Sequence, residues 1–423
     1  MQLRDLLIDS FRAAVSAADP LEILPRHLPA PPKGRTLVVG AGKAAASMAA
    51  AVEAHWPINA SLSGLVITRY RHGMPTQRIR VIEAGHPVPD AAGEAATRQM
   101  LEEVRTLGPD DLLLALISGG GSSLLSLPAE KISMGDLQAT TRALLASGAP
   151  IQDMNAVRKH LSAIQGGRLA AACSAPVLAL LISDVTGDDP THIASGPCAP
   201  DPTTYRDALD VLARYGVDAL PAVSTHLERG MRGKIRETLK PEDPVFARVE
   251  NRVIATAQRS LQAAASLFRS HGIQPVVLGD SVTGEASEAA KVYAGLVRQI
   301  RHHREPFRPP VALISGGECT VTVRGKGRGG RCTEFLLSLG NELDGLPDVW
   351  AIAADTDGID GSEDNAGAVL APDAVARARS RGLEAKKLLA NNDGYGFFSA
   401  LDALVVTGPT RTNVNDYRAI LVM

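Results

Sequence analysis

Residues 111–126 read DLLLALISGGGSSLLS, and this stretch decides the fold class. The apolar run 112–117 has no polar alternation, which is typical of a strand buried on both faces of a parallel sheet. Three glycines follow and allow a sharp turn that approaches a ligand closely. Serines before the next apolar run can cap a helix, whose free N–H groups attract anions. The pattern predicts strand, anion-binding turn and helix; a tight connection without a ligand is the alternative.

The same six residues, ALISGG, occur twice, at 115–120 and at 312–317. The echo indicates two sheets whose glycine turns face one cleft, although a chance repeat of common residues is the alternative. The residues predicted to bind substrate or nucleotide at the two turns are Ser118, Gly119, Gly120, Gly121, Ser122, Ser123, Gly316, Gly317 and Glu318.

A chain of 423 residues is too long for one ordinary core, and strands alternate with helices along it. We therefore expect two domains or three, of the α/β class, and predict the following division into two. The first, residues 1–240, is a larger Rossmann-like domain with a mostly parallel sheet, and it contains a first helix over 1–18. The second, residues 241–423, is smaller and has a mixed sheet.

The composition excludes several classes of protein. A net charge of −2 and an aromatic content of 4% argue against nucleic acid as a partner. No apolar run approaches the roughly 20 residues that span a bilayer. The amphipathic start with Asp5 and Asp9 is not a secretory signal, so we expect a cytoplasmic protein. The four cysteines have neither zinc nor disulfide spacing and are expected to be reduced thiols.

The turn at residues 40–43, GAGK, follows a short strand at 36–39 and opens an alanine-rich helix. It matches the dinucleotide fingerprint GxGxxA, which by itself is a weak signal. That fingerprint expects an acidic residue after the next strand, but the strand at 64–68 ends at Arg69. The ligand is therefore not NAD, or Arg69 accepts a 2′-phosphate, or no dinucleotide binds. Lys43 supplies a charge for a phosphate; a solvated lysine is the alternative.

Other polar groups follow predicted strands and helices of the first half. Asn155 and Lys159 are four residues apart and share one helix face, which is either a binding wall or a solvated basic face. Asp184 and Asp188 follow the strand at 177–182 and can hold Mg²⁺, or Asp184 can accept a substrate proton. Ordinary turn formation is the alternative for both aspartates. His86, in the loop at 84–90, either contacts substrate or has a structural role.

In the second half, a glycine-rich loop with Lys326, Arg328 and Arg331 precedes a helix, and Arg grips phosphate bidentately. A flexible exposed loop is the alternative. A strand then leads to Asp355, Asp357, Asp360 and Asp364, which partly match a Ca²⁺ loop but lack its terminal Glu.

The motifs, taken in order, resemble one family, the class II glycerate 2-kinases, which have an N-terminal glycerate kinase domain and a C-terminal MOFRL domain. The resemblance covers nearly the whole chain. It rests on GAGKAA (40–45), GHPVPD (85–90), LISGGGSSLL (116–125), MNAVRKHLSAIQGGRLA (154–170), SDVTGDD (183–189), IASGP (193–197), ISGGE (314–318), GRGGRCTE (327–334), DTDGIDG (355–361) and TGPTRTNVND (407–416).

The resemblance implies ATP-dependent phosphorylation of D-glycerate at its 2-hydroxyl, giving 2-phosphoglycerate and ADP, with Mg²⁺ and an active site in the cleft between two domains. Lys43 and Arg331 fall at positions that handle the transferred phosphoryl group, with Asp184 as a third catalytic residue. Asp355, Asp357 and Asn413 are further binding positions. Replacing Lys43 or Arg331 with Ala is expected to cut turnover by orders of magnitude without affecting folding.

One motif departs from the family, because Cys332 and Thr333 stand where an amide pair is usual. This puts in doubt any hydrogen bond that those amides make. The runner-up activity is an NAD(P)H-dependent reduction of hydroxypyruvate, a label that the family has often carried. A non-catalytic sugar-phosphate or nucleotide sensor is a third hypothesis. The sequence leaves a homodimer open.

Overall fold

The computed structural model describes residues 2–423, which form two compact units. One unit is Pro20–Ile254, and the other contains the chain up to Asp19 together with Ala255–Met423. The predicted domain boundary lies after residue 240, whereas the units divide after Ile254. The difference arises because the strand Val249–Ala255 joins the sheet of the first unit, and because the first helix, α1 (Leu3–Ser16), belongs to the second.

The unit Pro20–Ile254 alternates strands with helices. Its strands are β1 (Thr36–Ala41), β2 (Leu62–Arg69), β3 (Ile79–Ala84), β4 (Leu112–Ile117), β5 (Val177–Ile182) and β6 (Val249–Ala255). Its helices are α2 (Pro20–Ile23), α3 (Ala45–His55), α4 (Ala91–Val104), α5 (Gly121–Leu124), α6 (Met134–Ala146), α7 (Ile151–His160), α8 (Arg168–Ala171), α9 (Tyr205–Arg214) and α10 (Pro221–Met231), with short 3₁₀ turns at Leu24–His27, Ile193–Ser195 and Pro244–Arg248.

The sheet of this unit has the order β3-β2-β1-β4-β5-β6, and its neighbours from β3 to β5 are parallel. Every residue of β1, β4 and β5 is buried, as expected for central strands covered by helices on both faces. The order of strands reverses between β1 and β4. In such sheets ligands bind at the carboxyl ends of the strands that flank this reversal. The predicted Rossmann-like fold is confirmed.

The second unit begins with α1 and continues from residue 255. Its further helices are α11 (Ala257–Ser270), α12 (Ala286–His303), α13 (Arg331–Leu343), α14 (Ala374–Ser380), α15 (Ala385–Ala390) and α16 (Gly394–Ala400). Its strands are β7 (Gln274–Gly279), β8 (Gly284–Glu285), β9 (Val311–Gly317), β10 (Cys319–Thr320), β11 (Val349–Asp355), β12 (Gly367–Leu370), β13 (Leu404–Val405) and β14 (Asp416–Val422).

The main sheet of the second unit has the order β13-β12-β11-β14-β9-β7. Only β7 and β9 pair in parallel among the described strands of this sheet; the other neighbours are antiparallel, which confirms the predicted mixed sheet. One face is covered by α1 and α11, where Phe11 and Phe268 are buried. The opposite face is covered by α12 and α13, where Phe335 is buried.

One predicted element differs from the structure. The helix expected after the 118–123 turn is a single turn, α5, so it has little macrodipole to offer an anion. The stretch 205–240 contains two helices, since α9 ends at Arg214 and α10 begins with Pro221, a residue suited to the first helical position. Among residues 2–423 no helix combines the length and the apolarity that a membrane span requires.

Candidate functional site

The turns after β1 and β4 are held together by three hydrogen bonds. The Lys43 N–H donates to the Gly119 carbonyl (2.8 Å), and the Ala44 N–H donates to Ser118 Oγ (3.0 Å). In return, the Ser118 N–H donates to the Ala41 carbonyl (3.1 Å). Since β1 and β4 flank the reversal of strand order, these bonds place two of the predicted turns side by side at the expected binding edge.

Glycine is required at two positions of the paired turns. Gly42 has φ +138°, and a β-carbon there would lie 2.1 Å from Ser118 Oγ. Gly120 has φ +79°, and a β-carbon there would lie 2.9 Å from His86 Nε2 and 3.5 Å from Lys43 Cγ. No other side chain fits either position without displacing a neighbour. His86 and Lys43 therefore flank Gly120, which places His86 at the turn.

The backbone of the second turn offers donors for an anion. The N–H groups of Gly119 and Gly120 meet no protein acceptor within residues 2–423, whereas the N–H groups of Ser118, Gly121 and Ser123 are bonded inside the protein. Successive unsatisfied N–H groups in a turn are the donors from which backbone anion sites are built. The partly buried Lys43 lies beside them. The predicted anion site thus rests on backbone donors and one lysine.

A chain of side-chain hydrogen bonds extends from Ser122, and sequence reasoning missed its central member. Ser195 Oγ donates to Asn155 Oδ1 (3.0 Å), so the 2.9 Å bond between Ser122 and Ser195 has the Ser122 hydroxyl as donor. Ala194 and Ser195 have φ values of +50° and +59°, which are strained for residues with side chains. The strained backbone of this loop places Ser195 next to Ser122. The sequence of residues 194–197, ASGP, does not indicate that Ser195 bonds to Ser122.

Lys159 does not line the binding wall that was predicted for it and Asn155. Its ammonium lies 3.2 Å from Asp201 Oδ1, and the two side chains are 1% and 0% exposed. Burial alone would raise the pKa of Asp201, but Lys159 and the hydrogen bonds from Thr203 lower it. Lys159 is thus committed to an internal ion pair and is not available to a ligand. Asn155, on the same helix, is buried in the Ser195 chain and stays next to the turn.

The two predicted metal ligands lie after β5, at the same edge of the sheet. Asp184 is partly buried, and Asp188 occupies a left-handed turn position with φ +55°. No group of three or more His, Cys, Asp or Glu side chains suited to a metal forms in the described chain. Mg²⁺ needs only one or two carboxylates when phosphate oxygens and water complete its shell. The carboxylate of Asp184 fits that donor set, and the metal stays a prediction.

In the second unit, Arg331 lies in an acidic cluster. Its Nε donates to Asp416 Oδ1 (2.8 Å) and its Nη2 to Asp355 Oδ2 (2.7 Å), while Nη1 is 3.7 Å from Glu318 Oε1. Asp416 also accepts a 2.5 Å bond from Arg418. Burial opposes the charge of Arg331, but Asp416 and Asp355 outweigh it and raise its pKa. Arg331 is therefore a structural counter-ion as well as a predicted phosphoryl contact.

Strand register explains why these groups meet. Asp416, the first residue of β14, pairs with Gly317 of β9 on one side and with Asp355 of β11 on the other. Gly316 precedes Gly317 on β9, and the Gly316 carbonyl accepts a 3.2 Å hydrogen bond from Arg418. The predicted residues Gly317, Asp355 and Arg331 are thus brought together. Asp416 was not predicted, because its neighbours are distant in sequence.

The other predicted residues of this unit have local roles. Buried Asp357 accepts the N–H of Ile359 (2.9 Å), and buried Asn413 accepts the N–H of Asn415 (3.3 Å). Both act as turn acceptors, a role common for Asp and Asn.

The Cys332-Thr333 departure has a structural explanation. The Asp360 carboxylate accepts the N–H groups of Cys332 and Thr333, both at 2.9 Å, and the Thr333 hydroxyl at 2.8 Å. Asp360 therefore satisfies the first turn of α13, and Thr333 supplies a polar partner for it. Cys332 is buried, and burial raises the pKa of its thiol, which favours the protonated form over the nucleophilic thiolate.

Glu334, on α13, gives a testable pH dependence. Burial raises the pKa of Glu334 to about 7 from 4.5, and the hydrogen bond from Asn392 only partly opposes this. The folded state then binds the proton more tightly than the unfolded state, so stability is full below about pH 4.5 and falls as pH rises through 7. We expect Glu334→Gln to stabilise the protein at pH 8 by on the order of 3 kcal/mol, with little gain at pH 5.

Urea unfolding of Glu334→Gln and the native protein between pH 5 and 8.5 measures this difference. Glu342→Gln on the same helix, whose side chain is 37% exposed, is the matched control. If the free energies of unfolding of Glu334→Gln and the native protein change with pH in parallel, Glu334 ionises in the folded state without loss of stability.

The fold defines a two-unit α/β protein, and its paired glycine turns lie at the reversal of strand order, where the anion site is predicted. Two family models match the chain: a domain of unknown function, DUF4147, at residues 6–228, and the MOFRL family at residues 311–416. A relative from Agrobacterium vitis with the provisional name hydroxypyruvate reductase is 50% identical over 99% of this chain and 94% of its own.

Two further relatives carry kinase names. The glycerate 2-kinase of Pyrococcus horikoshii is 40% identical over 90% of this chain and 86% of its own length. The crystal structure of a glycerate kinase from Thermotoga maritima superposes with a TM-score of 0.87 at 37% identity, covering 100% of this chain and 99% of that one. The chain belongs to the glycerate kinase family, as the resemblance predicted.

Proposed function

We propose that the protein is an ATP-dependent D-glycerate 2-kinase, which transfers the γ-phosphoryl group of ATP to the 2-hydroxyl and gives 2-phosphoglycerate and ADP. The observation that carries the proposal is the pair of turns at the strand reversal, where Lys43 lies beside the unsatisfied N–H groups of Gly119 and Gly120. Membership of the glycerate kinase family supplies the substrate class.

Phosphoryl transfer depends on positioning and on neutralising charge more than on covalent chemistry. Lys43 and the two glycine N–H groups would hold anionic oxygens of a reactant at the first unit. Arg331 retains N–H groups beyond those bound by Asp355 and Asp416, and its side chain is 19% exposed. It would supply a second cation for the phosphoryl group.

Asp184 would orient the substrate hydroxyl or hold Mg²⁺ together with Asp188. When bound, Mg²⁺ would offset the negative charge of the phosphate oxygens. The carboxylate of Asp184, at the carboxyl edge of the sheet, would accept a hydrogen bond from the alcohol that attacks phosphorus. The chain itself thus provides cations for the donor and a carboxylate for the acceptor.

Reduction of hydroxypyruvate is the second candidate. It is favoured by the name of the Agrobacterium relative and by a strand order that also occurs in dinucleotide-binding sheets. Against it, β2 ends at Arg69, so the position expected to bind the ribose hydroxyls with a carboxylate holds a cation. The kinase proposal does not need that carboxylate.

A coupled ADP-release assay with D-glycerate, L-glycerate and hydroxypyruvate tests the proposal. We expect turnover with D-glycerate and ATP, and a phosphorus NMR signal that places the new phosphate on C2. A product phosphorylated at C3 would contradict the regiochemistry. Oxidation of NADH or NADPH by hydroxypyruvate in the pure protein, without ADP release from glycerate, would favour the reductase.

A further inference from the structure

Arg158, on α7, is a cation that the proposed mechanism does not use. Its guanidinium is partly buried, and its one hydrogen bond to the described chain is the 3.4 Å contact of Nη1 with Asn155 Oδ1. None of the ion pairs formed within residues 2–423 includes Arg158. Removal from water lowers the pKa of this guanidinium, and no carboxylate opposes that effect. A guanidinium in this position is costly unless an anion accompanies it.

The guanidinium lines a small cavity next to the 118–123 turn. The other polar residues of its lining are Ser122, Ser123, Ser126, Thr141, Ser162 and Gln165, and the lining includes no acidic residue. Most of these side chains are engaged inside the protein; for example, Ser126 Oγ donates to the Ser123 carbonyl (2.7 Å), and Gln165 Nε2 donates to the Ser122 carbonyl (2.9 Å). Arg158 is therefore the strongest donor left for a ligand in this cavity.

Hydrogen bonds of Asn155 connect Arg158 of the cavity to the predicted anion site. Asn155 Oδ1 accepts from both Arg158 and Ser195, and Ser195 bonds to Ser122 of the turn. Asn155 thus links Arg158, through Ser195, to Ser122 of the 118–123 turn. A ligand held by Arg158 would lie next to this turn, whose Ser122 and Ser123 line the same cavity.

We propose that Arg158 binds the carboxylate of the hydroxy-acid substrate. A single arginine with no second cation in the lining matches a monoanion, and its planar fork matches the two oxygens of a carboxylate. A triphosphate would need more positive charge than this cavity offers. This inference rests on the proposed kinase function, since it assigns one end of the small substrate to Arg158 and leaves the hydroxyl free to react.

The test compares D-glycerate with D-glyceramide, its neutral amide, as acceptors in the full-length protein. In Arg158→Gln we expect kcat/KM for D-glycerate to fall about 10²-fold, mostly through KM, while the value for the amide changes little. Arg158→Lys, which keeps the charge but loses the fork, should lie between. Arg142→Gln, which removes an exposed charge from α6 of the same cavity wall, is the matched control.

Equal losses for acid and amide in Arg158→Gln, or a raised KM for ATP alone, would overturn the assignment. A second measurement does not depend on a folded variant: a dicarbonyl reagent modifies arginines, and mass spectrometry maps the site. D-glycerate should protect Arg158 in the native protein. Protection by ATP and not by D-glycerate would place the nucleotide there instead.

Failure of the kinase proposal is distinguishable from failure of this one. If the native protein releases no ADP with D-glycerate, the proposed function is wrong. Calorimetric titration of D-glycerate into the native protein and into Arg158→Gln would then still decide the carboxylate site. Heat of binding that is lost only in the variant supports the site, and binding that is equal in both refutes it.

Discussion

Lys43→Ala is expected to lower the turnover of D-glycerate phosphorylation by about 10²–10³-fold, the cost typical of losing one preorganised donor to a developing charge. The paired turns should be kept, because the backbone N–H of Lys43, which donates to the Gly119 carbonyl, is retained in Ala. The lost group is the ammonium of a side chain whose Cγ lies next to Gly120. Steady-state kinetics together with a melting curve measure both effects.

Lys33→Ala is the matched control, since Lys33 is exposed and precedes β1, whereas Lys43 follows it. It removes the same charge from the opposite end of the same strand, and activity should be retained. Lys43→Arg keeps the charge with a different shape and should recover part of the loss. Turnover within a factor of about three of native in Lys43→Ala would remove Lys43 from the mechanism.

The sequence predicted the central strands and their turns because the information there is local. A run such as 112–117 is buried wherever it lies, and the glycines at 119–121 mark a turn in any context. The parallel sheet, the mixed second sheet and the glycine turns after β1 and β4 followed from such signals. The pairing itself, Lys43 N–H to the Gly119 carbonyl, depends on strand order, which periodicity does not specify.

Burial of polar side chains was the information that the sequence lacked. The spacing of Asn155 and Lys159 placed both on one helix face, but it does not say whether that face meets a ligand or the interior. Asp201, which pairs with Lys159, lies 42 residues further along the chain. Asp416 likewise meets Asp355 and Gly317 only through antiparallel register. Charges that pair over such separations need the three-dimensional structure.

The same kind of pairing alters the expectation for Arg331→Ala. The sequence alone predicts lost turnover with unchanged folding, but Asp355 and Asp416 are 2% and 0% exposed and both bind Arg331. Truncation would remove the Arg331 partner from both carboxylates, while the ion pair between Asp416 and Arg418 would remain. We expect the free energy of unfolding to fall by about 3–5 kcal/mol, the cost of breaking a buried ion pair, in addition to the loss of turnover. Urea unfolding measures the first effect and the ADP assay the second.

A double variant separates the two roles of Arg331. In Arg331→Met with Asp355→Asn, one buried charge is removed together with its partner, so most of the stability should return. If Arg331 also contacts the phosphoryl group, turnover in this stable variant stays below that of Asp355→Asn alone, which accounts for the predicted binding role of Asp355. Turnover equal to that of Asp355→Asn would show that Arg331 acts only as a counter-ion. Arg328→Ala is the control, because this arginine of the same loop is 61% exposed and pairs with Glu363 at the surface, where such a pair contributes little.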